Sequence, residues 1–471
     1  MQQSAESLLR MNSERIVQDV SSDGSFRIIP RAQHSISRKS ISPGALRVLY
    51  RLHEAGYQAF LVGGAVRDLL LGGHPKDFDI ATNATPEQVR AQFRNCRLIG
   101  RRFRLAHVVF GREIVEVATF RGSSDDGSGD RHSIDGRLVR DNVYGSLEED
   151  AVRRDFTVNA LYYDIADFSV RDAVGGMADL EHRVMRLIGD PQLRYREDPV
   201  RMLRAARLAA KLRFEIAPET AAPFALLGSL LADAPPARLF DESLKLFLGG
   251  YGLASFRALE RYGLLQHVFP VTARVLAEGT APHFRSLVEQ TLAGTDARVR
   301  EGKPVTPAFL FAAILWEPVC AASQALIDTG MDTSSAWTHA VDRVLHEQAQ
   351  RVAIPRRFTI TIEEIWALQS RFAQRTKKRA LRLLEHPRFR AAYDFLLLRA
   401  GESPELAELA AWWTDAQQLR PDEFAERLGA MPAPSPLTDA APTAKRKRAR
   451  RRRRKARPEA GVETPANDTS D

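Results

Sequence analysis

The sequence predicts an α+β protein: a mixed α/β head, a mostly α-helical neck and body, and disordered termini. Three observations carry this. Up to about residue 178, short apolar strand text alternates with glycine corners and capped helix starts. Beyond Asp179, apolar residues recur at helical spacing, as in Leu203, Ala206 and Leu208, and later Leu381 and Leu384. At the end, residues 430–444 are rich in Pro and Ala and residues 445–457 read KRKRARRRRRKAR. The expected divisions are a flexible arm at 1–30, a head at 31–178, a neck at 179–248, a body at 249–429, and a linker with a basic tail at 430–471.

The elements follow in order. Residues 1–30 are polar and aperiodic. Pro43 opens a helix that runs to about Glu54, with Ala45, Leu46, Leu49 and Leu52 at helical spacing. QAFLV at 58–62 reads as a strand, Gly63-Gly64 as a turn, and 65–71 as a short helix ended by Gly72-Gly73. A second strand is expected at 78–81. Thr85-Pro86-Glu87-Gln88 is a helix start, with Thr85 as cap, Pro86 in the first turn and Gln88 closing a capping box. Strands are expected at 106–110 and 113–120, and GSSDDGSGDRHSIDG at 122–136 as a mobile loop.

Composition narrows the class. The chain has 471 residues and a net charge of +9, yet 11 basic residues sit in 445–457 with no acid among them. Without them 57 basic residues face 59 acidic ones, so the excess charge belongs to the tail. Such a cluster binds polyanions by releasing counterions; a solvated tail or an address signal are the plainer alternatives. Two cysteines, Cys96 and Cys320, exclude a disulfide scaffold and read as reduced core thiols. The longest apolar run, 308–316, is nine residues. A membrane span needs about 20, so none is expected. With no secretory pattern at the start, the expectation is a cytoplasmic protein. The eleven histidines show no ligand spacing that points to zinc.

Four segments carry chemistry. Asp77-Phe78-Asp79 in a strand places both carboxylates on one face, roughly 7 Å apart, with Phe78 and Ile80 facing the core. Such a pair repels itself unless a cation sits between, and Mg²⁺ takes one or two carboxylates together with phosphate oxygens. Gly63-Gly64, 14 residues upstream, lets backbone N–H groups approach a phosphate, with Arg67 one turn further. Arg153 to Ala160 (RRDFTVNA) offers Asp155 as a third carboxylate or as a helix cap, with Glu116 as its rival on the 113–120 strand. Arg196 to Arg204 (REDPVRMLR) makes Asp198 a cap before Pro199 and places Asp198, Arg201 and Arg204 on one side of a helix, where an Asp beside Arg can read a base edge. Farther on, 371–390 holds eight basic residues with Phe372 and Phe389 interleaved, an RNA surface or a solvated helix face.

Together LVGGAVRDLLLG (61–72), KDFDIATNATPEQV (76–89), EEDAVRRDFTVNALYY (148–163) and RYREDPVRMLRAARLAAKL (194–212) resemble the bacterial poly(A) polymerase and tRNA nucleotidyltransferase family. The resemblance runs from about Ile28 to Gly249 and less distinctly to Arg399. It implies a polymerase-β-like nucleotidyltransferase head. LIGRRFRLAHVVFG (98–111) followed by EIVEVATFRG resembles the poly(A) polymerase branch, with CCA addition to tRNA as the alternative. The expected partners are ATP and RNA 3′ ends, with the tail at 445–457 touching RNA, in mRNA polyadenylation and turnover by a monomer. The resemblance implies that Asp77 and Asp79 bind Mg²⁺, with Mn²⁺ also accepted by such oxygen ligation. It further implies that Asp155 completes the catalytic set, that Gly63, Gly64 and Arg67 hold the triphosphate, that Arg154 and Asn159 face ribose and phosphates, and that Asp198 and Arg201 select the base.

Overall fold

The computed structural model describes residues 26–100, 104–122, 131–134, 137–141 and 143–419. Its head is one eight-stranded sheet. In chain order the strands are β1 (Arg27–Ile29), β2 (Ala59–Val62), β3 (Asp79–Thr82), β4 (Cys96–Ile99), β5 (Leu105–Phe110), β6 (Glu113–Thr119), β9 (Leu161–Asp164) and β10 (Val170–Asp172). A separate hairpin, β7 (Arg131–Ile134) with β8 (Arg137–Asp141), lies outside it. The sheet order is β1-β10-β9-β2-β3-β6-β5-β4. Only β3 and β6 run parallel; the other neighbours are antiparallel.

The strand text sits where expected to within a residue, and two expectations are corrected. Arg27–Ile29 pairs with β10, so the head begins before residue 30 and the arm is shorter than expected; residues 1–25 lie outside the described residues. The expected loop at 122–136 contains strand β7, because Arg131–Ile134 finds antiparallel partners in Arg137–Asp141. Residues 123–130 and 135–136 of that segment lie outside the described residues.

Helix α1 (Pro43–Glu54) starts at Ser42, whose hydroxyl accepts from the Ala45 amide, and buries Ala45, Val48, Leu49 and Leu52. Helix α2 (Gly64–Leu70) follows β2 at once. Helix α3 (Pro86–Gln92) has the full Thr85/Gln88 capping box, and helix α4 (Leu147–Arg153) has another from Ser146 and Glu149. The sheet buries both faces. Leu61, Ile80, Val115, Val117 and Tyr163 join the main core, while Phe60, Val62, Ala81, Phe120, Tyr162, Leu147 and Ala151 form a second layer under α4.

The neck holds α5 (Gly176–His182), α6 (Pro191–Glu197) and α7 (Val200–Leu212), with a short parallel pair β11 (Val184–Met185) and β12 (Glu215–Ile216). The body is helical from Pro236–Phe247 to Pro404–Ala416. The apolar run at 308–316 is buried within it. No single helix among the described residues is long and apolar enough to cross a membrane; the bent pair Pro307–Ile314 and Trp316–Asp328 meets that test only when its two helices are joined. Cys96 and Cys320 are not joined in a disulfide and are half-buried against the core.

The basic stretch at 371–390 does not interleave aromatics for stacking on RNA. Phe372 and Phe389 are buried together with Trp413 in a small C-terminal core. Body helices continue to Ala416, and the expected end of the body at 429 lies outside the described residues.

Candidate active site

The site lies where β2 ends and β3 begins, beside the middle of β6. Strand alternation does what the sequence implied: Phe78 and Ile80 are buried, while Asp77 and Asp79 open to solvent. Asp77 stands two residues before Asp79, just ahead of β3. Parallel pairing sets Asp79 against Glu116, in the register Asp79↔Glu116 and Ile80↔Val117. Val115 and Val117 face the core, so Glu116 projects from the same face as Asp79, and its Oε2 lies 3.3 Å from His107 Nε2. Neighbouring strands are about 4.8 Å apart, so the two carboxylates face each other at close range.

That crowding has an electrostatic signature. Burial of the Asp79 carboxyl, then the negative charges of Glu116 and Asp77, push its pKa up from 3.8 to about 6, against a smaller pull from Arg154. An electronegative cluster of this kind favours a cation. Among the described residues no three His, Cys, Asp or Glu side chains form a complete metal cage. An open carboxylate pair suits an ion that takes its remaining ligands from phosphate and water.

The glycine corner sits beside this pair. Val62 is opposite Asp79 in the β2–β3 register, and the next residue, Gly63, adopts φ 70° and ψ −136°, which a side chain resists. A Cβ on Gly63 would stand 3.5 Å from Arg154 Nη1. Arg67 is buried, its side chain 4% exposed. Its guanidinium lies against Gly64, donates to Asp68 Oδ1 at 2.6 and 2.8 Å, and donates through Nη1 to Asn159 Oδ1.

Asp155 is placed differently from Glu116. It is not the cap of an α-helix, and the residues after it, Thr157–Asn159, form a short 3₁₀ turn. Its Oδ1 accepts from the Phe156 amide at 2.9 Å and from Asn159 Nδ2 at 3.1 Å, and its Oδ2 from Arg204 Nε at 3.0 Å. Burial alone would raise its pKa, but the Arg204 charge and these hydrogen bonds outweigh burial and hold it below the usual value. Arg154 donates to Asp150 Oδ2 and to the Tyr162 hydroxyl, at 3.0 and 2.8 Å, with its guanidinium over the Tyr162 ring.

At the α6–α7 elbow, Asp198 Oδ1 accepts from the Val200 amide at 3.2 Å and Oδ2 from Arg238 at 2.7 Å. Arg201 donates to the Arg194 carbonyl and to Glu197 at 2.7 and 3.0 Å. Arg194 in turn donates to the carbonyls of Arg153 and Arg154, joining the elbow to the head. Tyr162 and Arg238 carried no signal in the sequence beyond their polarity, because Arg154 and Asp198 lie 8 and 40 positions away; Asp68 and Asp150 have near partners, Arg67 and Arg154, whose pairing the motif reading passed over. Arg204 and Lys211 did share a helix face by spacing.

A mixed sheet that carries an Asp-x-Asp pair opposite a third acid, beside a glycine corner, defines a nucleotidyltransferase head. The Bacillus stearothermophilus CCA-adding enzyme in complex with CTP is similar at 27% identity and TM-score 0.52, over 83% of this chain and 82% of that one. A tRNA-processing enzyme (apo form I) shares the fold at 21% identity and TM-score 0.57, over 83% and 98%. Residues 59–186 match the family described as poly A polymerase head domain, 213–276 the probable RNA and SrmB-binding site of polymerase A, and 329–455 the polymerase A arginine-rich C-terminus. Poly(A) polymerase I of Escherichia coli O157:H7 is 55% identical over 84% of this chain and 87% of its own length, and that of Salmonella typhi 53% identical over 89% and 91%. The CCA-adding enzyme of Bacillus pumilus is 40% identical over only 44% and 50%. The chain belongs to the poly(A) polymerase I family.

Proposed function

We propose that this enzyme adds AMP residues from ATP to RNA 3′ ends, with Asp77, Asp79 and Glu116 as the acidic centre. The observation that carries the reading is the Asp79↔Glu116 register beside the Gly63–Arg67 corner. Gly63 and Gly64 allow close approach of the triphosphate, and Arg67 supplies its charge. The RNA 3′ hydroxyl attacks the α-phosphate in line, a new P–O bond forms, and the bond to the β-phosphate breaks to release pyrophosphate. Asp77 and Asp79 would hold Mg²⁺, which supplies charge neutralisation and hydroxyl activation. Glu116 takes the role of third carboxylate. Asp155, engaged by Arg204 and Asn159, orients Asn159 instead. Arg154 and Asn159 face the ribose and phosphates.

We assign base selection to Asp198 and Arg201, whose side chains are held in place by Arg238 and Glu197. The upstream RNA has a suitable path in a cleft of about 570 Å³ between neck and body, where Arg213, Arg257, Arg261 and Arg300 accompany Tyr251 and Tyr262. Arginines with aromatic rings suit a single strand. The tail at 445–457 adds a second RNA contact, and the enzyme acts as a cytoplasmic monomer.

Incubation of the full chain with Mg²⁺, a short unstructured RNA and either ATP or CTP tests this. Long A-tails are expected from ATP. Growth restricted to tRNA ends with both nucleotides would instead mark a CCA-adding enzyme, and loss of incorporation in Asp77→Ala with retained RNA binding is expected.

A further inference from the structure

The neck helix α7 grips the triphosphate corner at two points. Arg204 and Lys211 are seven residues apart, about two turns, and so lie on one face. Arg204 donates to Asp155 Oδ2, Asp155 Oδ1 accepts from Asn159 Nδ2, and Asn159 Oδ1 accepts from Arg67 Nη1. On the other side, Lys211 Nζ donates to Asp68 Oδ2 at 3.0 Å, and Asp68 Oδ1 accepts from Arg67 Nε and Nη2. The result is a closed loop, Arg204–Asp155–Asn159–Arg67–Asp68–Lys211, with Arg67 at its centre.

We propose that Lys211 and Arg204 are positioning residues for Arg67, so that helix α7, which carries Arg201 near its start, sets how the head receives the triphosphate. This rests on Arg67 as the triphosphate ligand. Three N–H groups of Arg67 are spent on Asn159 and Asp68, and a guanidinium has five, so two remain for phosphate oxygens. Asp68 can hold Arg67 only while its own rotamer is held, and its side chain is 21% exposed. Lys211 is the residue from outside the head that holds it. Its ammonium is partly exposed, at 36%, and Asp68 keeps Arg67 as a partner, so removal of Lys211 leaves no buried charge unpaired.

The test uses the full chain with Mg²⁺ and an oligo(A) primer. Lys211→Met is expected to raise KM for ATP about fivefold, a modest effect because the pair is partly exposed, with kcat and the primer KM changing less than about twofold. Inorganic tripolyphosphate, as a competitive inhibitor, should weaken by the same factor, and Lys211→Arg should restore both. Asp68→Asn should raise KM for ATP similarly, and the double variant should be no worse than Asp68→Asn alone. Arg204→Lys, which keeps the charge but loses the fork, should move the same constants. If Arg67→Lys leaves KM for ATP and tripolyphosphate inhibition unchanged, the triphosphate reading itself is wrong. If Arg67→Lys weakens both but Lys211→Met does not, or if Lys211→Met raises only the primer KM, the positioning proposal is overturned.

Discussion

Neutral amides at three carboxylates of the head should move stability in opposite directions. The Asp79 carboxylate is desolvated by its surroundings and faces Glu116 across β3 and β6, so Asp79→Asn removes a desolvation penalty and, with it, a repulsion. The Asp79 carboxyl is raised from 3.8 to about 6, and two units correspond to roughly 3 kcal/mol. The residue opens to solvent, and screening reduces the expected gain to about 1 kcal/mol. The sign follows from linkage: a carboxyl with a raised folded pKa opposes folding, and this penalty is absent below the unfolded value, grows as pH rises toward about 6, and is constant above. At pH 7.5 without metal, Asp79→Asn should therefore melt about 2–4 °C higher than the parent. The difference should fall to about half by pH 5. At pH 7.5 Glu116→Gln should also melt higher than the parent, because it removes the charge that faces Asp79 across β3 and β6.

Asp155 is the opposite case. Its folded pKa is depressed, so its stabilisation is present above the unfolded value and lost as pH falls through the folded one. Asp155→Asn removes the partner of Arg204 and should cost about 2–3 kcal/mol at neutral pH, below the range for fully buried pairs because Arg204 is partly exposed. Scanning calorimetry in EDTA between pH 5 and 8 measures all three. All five tryptophans lie between 316 and 413, so fluorescence would follow the body and not the site. An Asp79→Asn protein that melts lower than the parent, or a gain that does not vary with pH, would refute the charge-crowding argument; a stabilised Asp155→Asn would refute the assignment of Asp155 to the Arg204 network.

Other outcomes are expected. Gly63→Ala forces a Cβ into a left-handed conformation toward Arg154 and should cost about 1–3 kcal/mol; steady-state assays should show kcat/KM for ATP lower by at least about tenfold. Phe389→Ala empties the small core around Trp413 and should cost about 3–5 kcal/mol in urea unfolding followed by tryptophan fluorescence. Its RNA affinity by filter binding should match the parent's, since the ring is inside. Deleting 445–471 should weaken RNA binding and flatten its dependence on salt, with each lost phosphate contact reducing the logarithmic slope by about 0.7. Single-nucleotide incorporation at saturating RNA should be unchanged.

What was legible in the sequence obeys short-range rules. The alternation that turns Asp77 and Asp79 outward, the Thr85–Gln88 capping box and the Pro43 helix start all depend on residues within four positions of one another. The Gly63-Gly64 corner was legible because only glycine tolerates its backbone angles. The basic tail was visible as composition alone. Long-range pairing escaped it. Whether Asp155 or Glu116 joins the acidic pair depends on the parallel register of β3 with β6, 37 positions apart, and on α7 returning Arg204 to Asp155 across 49. In the body, Phe372 and Phe389 read as interleaved with charge until four helices pack together around them. The sequence by itself therefore named the candidate residues and the strand that presents the acidic pair. The tertiary structure decided which of them meet, because register and helix docking are chosen by burying apolar surface from distant segments, and a polar side chain takes whatever partner that burial brings within reach.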